Sequence, residues 1–293
     1  MAAESHTHAQ PGFVRIARRC WVPEAQADEF AALCAEVVRS SAPHTVVVSR
    51  AAARLHGMWL PEVPHVIDVA TATPGLPAVA MTRSQRPELR VRRLALRADE
   101  VMTISGIPVT TPERTWRDLA AELDLPSLVA AGDSVLRGGT PVQRIAELLG
   151  RGTRVRGIRR ARMAGVLLDG RSRSRPESHL RVAATAPDLP TFEVNEPIRR
   201  RDGGWLAEPD LSIEAAKLAL EYQGAGHAEV ARLRRDLTRF ADLRREGWLV
   251  LAYGPAEVFG RPWEITMDVR MALRDRAPDL LRRRARDVPV WCR

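Results

Sequence analysis

Lysine is all but missing from this sequence: Lys217 is the only one in 293 residues, and arginine carries nearly all the positive charge. Arginine in place of lysine is what GC-rich codon usage produces. A net charge of +9 and a pI near 10.8 therefore suit a polyanionic partner without selecting one. Cysteine is scarce as well: Cys20, Cys34 and Cys292 are odd in number, far apart and in no CxxC spacing, which argues against a disulfide framework or a zinc site. No apolar run approaches the roughly 20 residues of a membrane helix. The start, Met1 to Pro11, is polar with His6 and His8 and is unlike an export signal, so a cytoplasmic location is expected. There is no internal repeat, no P-loop and no GxGxxG.

What is present fits an ordinary globular chain, with 45% hydrophobic and 28% charged residues and a length that suits two domains. Residues 1–168 read as an α+β region. Phe13–Val22 is an arginine-rich extended segment, and Glu24–Ser40 is an amphipathic helix. Val46–Val48 is a short buried strand, and Ser49 caps a helix that Gly57 stops. Three short β-like runs follow (His65–Ala70, Val79–Thr82, Leu89–Leu96). Thr111-Pro112 then opens a helix, with more helices through Leu168.

Asp169–Arg175 (DGRSRSR) is short, polar and basic, and reads as a linker. Beyond it, 176–280 reads as a second domain, with 281–293 a basic tail. Pro176–Ala186 is helical, Phe192–Ile198 and Leu206–Ile213 are strands around an Asp202-Gly203-Gly204 turn, and Leu218–Tyr222 is a third strand. A long amphipathic helix (Glu229–Glu246) ends at Gly247, and Trp248–Tyr253 is a fourth strand. The order α-β-β-β-α-β predicts an α/β fold, a small mixed sheet flanked by helices.

The informative stretch is PDLSIEAAKLALEYQ, Pro209 to Gln223. Asp210 and Glu221 stand at the ends of successive strands, where a hairpin can bring both carboxylates to one sheet edge. Glu221 and Gln223, two apart, share a strand face. Two converging carboxylates suit a hard cation such as Mg²⁺ or Mn²⁺, and such an ion can activate water for phosphodiester hydrolysis. Lys217 shares that face but lies about 13 Å from Glu221 along an extended strand. Arg232, Arg235 and Arg239 recur on one helix face with Asp236 among them, either as a salt-bridged solvated face or as a phosphate-contacting one. Trp205 and Trp248 read as packing residues.

Pro209-Asp210 followed by Glu221-Tyr222-Gln223 resembles the signature of the PD-(D/E)xK nuclease superfamily. EYQGAGH with RRDLTRFADLRREGWLVL resembles a domain of unknown function allied to very-short-patch-repair endonucleases, through Glu221, Gly224, His227, Asp236, Arg239, Gly247 and Trp248. The resemblance covers about Arg173 to Ala277 and implies a restriction-endonuclease-like fold. It further implies Asp210 and Glu221 as metal ligands, Glu177 as an acid on the first helix, His227 as a base, and Gln223 in the place of the superfamily's lysine. In the first half, VSRAAARLHGMWLP and GIPVTTPERTWRDLA resemble the region beside AbiEi-type antitoxin winged helices. Phe13–Pro23 would then correspond to the wing, and the chain begins too late for the usual helix-turn-helix before it. Two functions follow from these resemblances. One is a Mg²⁺- or Mn²⁺-dependent DNA endonuclease in repair or defence. The alternative is a noncatalytic DNA-binding regulator or antitoxin-like protein that retains the nuclease fold.

Overall fold

The computed structural model describes residues 30–71, 89–151, 155–200, 202–224 and 240–281 with their side chains, and the backbone of 13–17 and 20–23. Cα packing divides the chain into two compact units, Met1–Leu119 and Ala120–Arg293.

The first unit opens on an antiparallel hairpin, β1 (Phe13–Ala17) with β2 (Cys20–Pro23), followed by helix α1 (Phe30–Arg39). Its mixed sheet uses β3 (Thr45–Val47), β4 (Ile67–Thr71), β5 (Leu89–Val91), β6 (Val101–Ile104) and β7 (Ile107–Thr110), in the order β5-β4-β3-β7-β6. Every residue of β3 and β4 is buried, so neither strand alternates between a wet and a dry face, and the buried Asp68 of β4 accepts from Arg92 Nε at 2.7 Å. Helix α2 (Ser49–Leu55) lays Ala51 and Ala52 into the core with Cys34, Val47, Ile67 and Val109. Burial keeps the Cys34 thiol protonated by pushing its pKa up to about 12, so it behaves as a small core hydrophobe. The expected Ser49 cap is corrected. Val48 is the N-cap and no side chain caps the helix, while Ser49 is its first residue, buried and left-handed at φ 51°. Gly57 ends the helix at φ 68°, as expected. The run Val79–Thr82 lies outside the described residues.

Helix α3 (Pro112–Leu119) buries charge as well as Trp116. Arg114 is 2% exposed. It donates to Glu100, to Asp118 Oδ2 through Nε at 2.9 Å and to the Ala95 carbonyl at 3.0 Å. Arg117 completes the cluster at 3.7 Å from Glu100 and 3.4 Å from Asp118. Two acids balance two guanidiniums, as burial requires.

The second unit begins with α4 (Leu125–Arg137), capped by Asp124, whose side chain accepts from Ser127 N at 2.9 Å. Helices α5 (Val142–Arg151), α6 (Ile158–Gly165) and α7 (Arg175–Ala183) follow, and α4 packs along α7. The segment 169–175, expected as a flexible linker, is fixed inside this unit. The fully buried Asp133 of α4 accepts from Asp169 N at 2.7 Å, Ser178 Oγ at 2.6 Å and Arg181 Nη2 at 2.6 Å. Ser172 is fully buried beside them.

A four-stranded mixed sheet completes the unit, built from β8 (Glu193–Val194), β11 (Leu211–Ile213), β12 (Leu218–Tyr222) and β13 (Leu249–Tyr253) in the order β13-β12-β11-β8. Only β12 and β13 run parallel. Helices α7 and α9 (Pro262–Arg276) cover one face through Leu180, Ile265, Val269 and Leu273. The other face holds Ala219 against Leu243 of α8 (residues 240–245), Trp248 and a second hairpin, β9 (Ile198–Arg199) with β10 (Trp205–Ala207). The expected α-β-β-β-α-β order is therefore present, with two corrections. The run 192–198 breaks at Asn195, which turns left-handed at φ 49°, and 206–213 breaks at Glu208-Pro209-Asp210, where proline has no N–H to give a ladder. The Asp202-Gly203-Gly204 turn consequently joins β9 to β10 in the small hairpin, not two strands of the main sheet. Trp248 is core, but Trp205 is 59% exposed and packs little.

Candidate functional site

The β11–β12 ladder pairs Leu211 with Leu220 and Ile213 with Leu218. Carrying that register one residue further sets Asp210 opposite Glu221. Directly opposed residues of an antiparallel pair share a face, with Cβ atoms about 4.5–5.5 Å apart. A direct contact confirms that the Asp210 side chain reaches this end of β12: Tyr222 N donates to Asp210 Oδ2 at 2.7 Å. Glu221 is 5% exposed and stands opposite Ala252 of β13, so its carboxylate belongs to the sheet's interior edge and not to a solvated rim. Gln223 continues the ladder, donating its N–H to the Tyr253 carbonyl at 2.8 Å, and is exposed. Its side chain therefore leaves on the Glu221 face.

Glu177 reaches this edge indirectly. Its carboxylate accepts from Ser174 Oγ at 2.8 Å, Arg173 N at 2.7 Å and Asn195 Nδ2 at 3.0 Å, and Asn195 N in turn donates to the Asp210 carbonyl at 3.0 Å. Ser174 also accepts from Glu177 N, so Glu177 is the far half of a helix-capping pair. Its oxygens fasten α7 to the β8 turn. Lys217 stands elsewhere: it turns left-handed at φ 45° ahead of β12 and its Nζ donates to the Glu246 carbonyl at 2.5 Å, capping the end of the α8 segment. His227, Arg232, Arg235, Asp236 and Arg239 lie outside the described residues.

At this edge Asn195 went unread in the sequence, and Arg171 and Arg173 read only as charges of a basic linker. Arg171 bridges Asp169 at 2.9 Å and Glu193 at 3.2 Å, Arg173 pairs with Glu208 next to Pro209, and Asn195 links Glu177 to Asp210. Asn195-Glu196-Pro197 carries a signal that could have found the turn, since asparagine tolerates the left-handed region. Behind the edge, Phe259 meets the His179 ring at 4.9 Å and the Arg175 guanidinium at 4.7 Å. Burial, reinforced by the Arg175 charge, pulls His179 down to about 4.

Chemically, the edge offers two anionic oxygen donors on adjacent strands, with a neutral amide beside them. That donor set suits a hard divalent ion that keeps most of its waters. Among the described residues no group of three or more His, Cys, Asp or Glu side chains comes together to hold a metal. Asp210 and Glu221 are thus the two acids that the described residues set across from one another at this edge. No helix of the described residues is long and apolar enough to cross a membrane.

Residues 45–170, from β3 to just ahead of α7, match the family model of the AbiEi antitoxin C-terminal domain. Over 243 residues the chain is 29% identical to an uncharacterized protein of Mycobacterium tuberculosis, MT2308 in strain CDC 1551 / Oshkosh and Rv2248 in strain ATCC 25618 / H37Rv, covering 80% of this chain and 83% of the relative. That coverage is too long to end at residue 170, so the likeness takes in part of the β8–β13 sheet region as well. No solved structure matches the chain.

Proposed function

We propose that the chain is a DNA-binding regulator of the antitoxin type. The observation that carries this reading is the AbiEi antitoxin match over 45–170, and the net charge of +9 supports it. The test is fluorescence anisotropy of the full chain with duplex DNA, including the fragment upstream of its own coding sequence. Binding is expected to weaken steeply with salt, and absence of duplex binding at about 50 mM salt overturns the reading.

A second reading, a divalent-metal-dependent endonuclease of the PD-(D/E)xK type, is favoured by one observation, the cross-strand placement of Asp210 and Glu221 at the edge of a mixed sheet. These two carboxylates would hold the ion, which supplies Lewis-acid polarisation of a phosphoryl oxygen and a more acidic bound water. Gln223 can orient a water by hydrogen bonding. It brings no positive charge to the developing anion, so turnover would be slow. Plasmid incubation with Mg²⁺ or Mn²⁺ against EDTA tests it. EDTA-sensitive nicking lost in both Asp210→Ala and Glu221→Ala supports this reading, and nicking that survives either variant sinks it.

A further inference from the structure

Between Glu147 and Asp169 the sequence has six arginines (151, 154, 156, 159, 160 and 162) and no acid, against a net charge of only +9 for the whole chain. This short stretch of sequence thus carries a large share of the positive excess. Around the start of α6 the fold makes a cleft of about 480 Å³, lined by Arg156, Arg159 and Arg160 with Ala120, Leu125 and Met163, and with no acidic side chain in the lining.

The cleft depends on Gly157. It caps α6 at φ 82°, and a Cβ there would sit 2.5 Å from the Ala120 carbonyl carbon, so backbone meets backbone at that point. Arg160 is fixed against the same wall, donating to the Ala120 carbonyl at 3.0 Å and the Leu123 carbonyl at 2.7 Å. All three arginines are exposed, but unlike Arg160, Arg156 and Arg159 make no hydrogen bond or ion pair among the described residues. Two unengaged guanidiniums beside a third that is held in place, at the positive end of a helix dipole, repel one another and call for an anion from outside the chain.

We propose that this cleft binds the phosphodiester backbone of duplex DNA, with Arg156 and Arg159 each contacting a phosphate. The proposal rests on the regulator reading and assigns it a contact surface. The duplex is favoured over a single strand because the lining has no aromatic ring on which an unpaired base could stack. It is favoured over duplex RNA by the DNA-regulator reading on which it rests, and duplex RNA is kept as an arm of the test.

Each phosphate contact contributes about 0.9 to the slope of log K against log salt, so Arg156→Gln/Arg159→Gln is expected to lower that slope by about 1.8 between about 50 and 200 mM salt on a random duplex of about 20 base pairs. Arg274→Gln, an exposed arginine on α9, is the control and should leave the slope alone. Both substituted cleft side chains are exposed, and circular dichroism and melting should match wild type. If Arg156→Gln/Arg159→Gln does not fold, the single variants Arg156→Gln and Arg159→Gln are each read for a slope lower by about 0.9. An unchanged slope overturns the proposal while leaving the regulator reading intact. Tighter binding of a single strand or of duplex RNA also overturns it, whereas no duplex binding by the wild-type chain defeats both.

Discussion

Replacing Arg114 by methionine keeps the aliphatic volume and removes the charge from the buried cluster of α3. Glu100 and Asp118, at 5% and 8% exposure, would lose their main counter-ion, and the Ala95 carbonyl would lose its donor. Arg117 remains, but at 3.4–3.7 Å it is the weaker partner and already has its own cationic form disfavoured by burial. Breaking a buried pair from one side costs about 3–5 kcal/mol. For a unit of this size that is a fall in Tm of roughly 10–20 °C. The variant should also acquire an inverted pH response. Burial already raises the Asp118 carboxyl above its usual range; without Arg114 the folded state holds protons that the unfolded state releases, so lowering the pH from about 7 to 5 should recover stability. Urea melts of both proteins across that range measure it. A loss below about 1 kcal/mol, or a deficit that does not shrink on acidification, would show that Arg114 is not what balances these acids.

Three further outcomes are expected. The His179 imidazole sits at about 4 instead of 6.5 in the folded chain, so the unfolded state alone takes up its proton in that window. Stability should be intact above the unfolded value and fall by roughly 3 kcal/mol on acidification to pH 4, and His179→Leu should flatten that dependence in urea melts; an unaltered slope refutes the assignment. Gly157→Ala adds a Cβ at 2.5 Å from Ala120 to a φ of 82°, and calorimetry should find a loss of at least about 3 kcal/mol; a loss under about 1 would mean that the cleft wall yields. Asp133→Ala removes the three hydrogen bonds that Asp169, Ser178 and Arg181 donate to it and should make trypsin cut at Arg171 and Arg173 faster than in wild type; equal digestion of the two proteins counts against it.

Much of the second unit was legible because its signals are local. Apolar β-branched and leucine runs gave β12 and β13, Gly247 gave the end of α8, and the spacing of Asp210 and Glu221 across a hairpin gave their pairing. What escaped depends on partners distant in sequence. DGRSRSR has the composition of a linker, and nothing in those seven residues reveals Asp133, whose buried carboxylate holds Asp169 from 36 residues away. Strand breaks escaped for a different reason: apolar residues resume at Ile198 and at Leu211, so the short polar interruptions Asn195-Glu196-Pro197 and Glu208-Pro209-Asp210 were read through as strand, whereas the backbone turns there. Lys217 looked like a strand residue because the periodicity counts it as one, although a left-handed φ takes it out of β12.

The packing of α4 along α7 bears on how such chains can be recombined. The stretch that matches the antitoxin family model ends at residue 170, between the two helices, and so inside a single folded body. A gene fusion made there could not simply append a new partner. The incoming segment would have to open with a helix that presents a hydroxyl and a guanidinium, as Ser178 and Arg181 do, to the carboxylate waiting on α4. Exchange at this junction is therefore restricted to segments that carry the matching first helix, whatever chemistry they bring behind it.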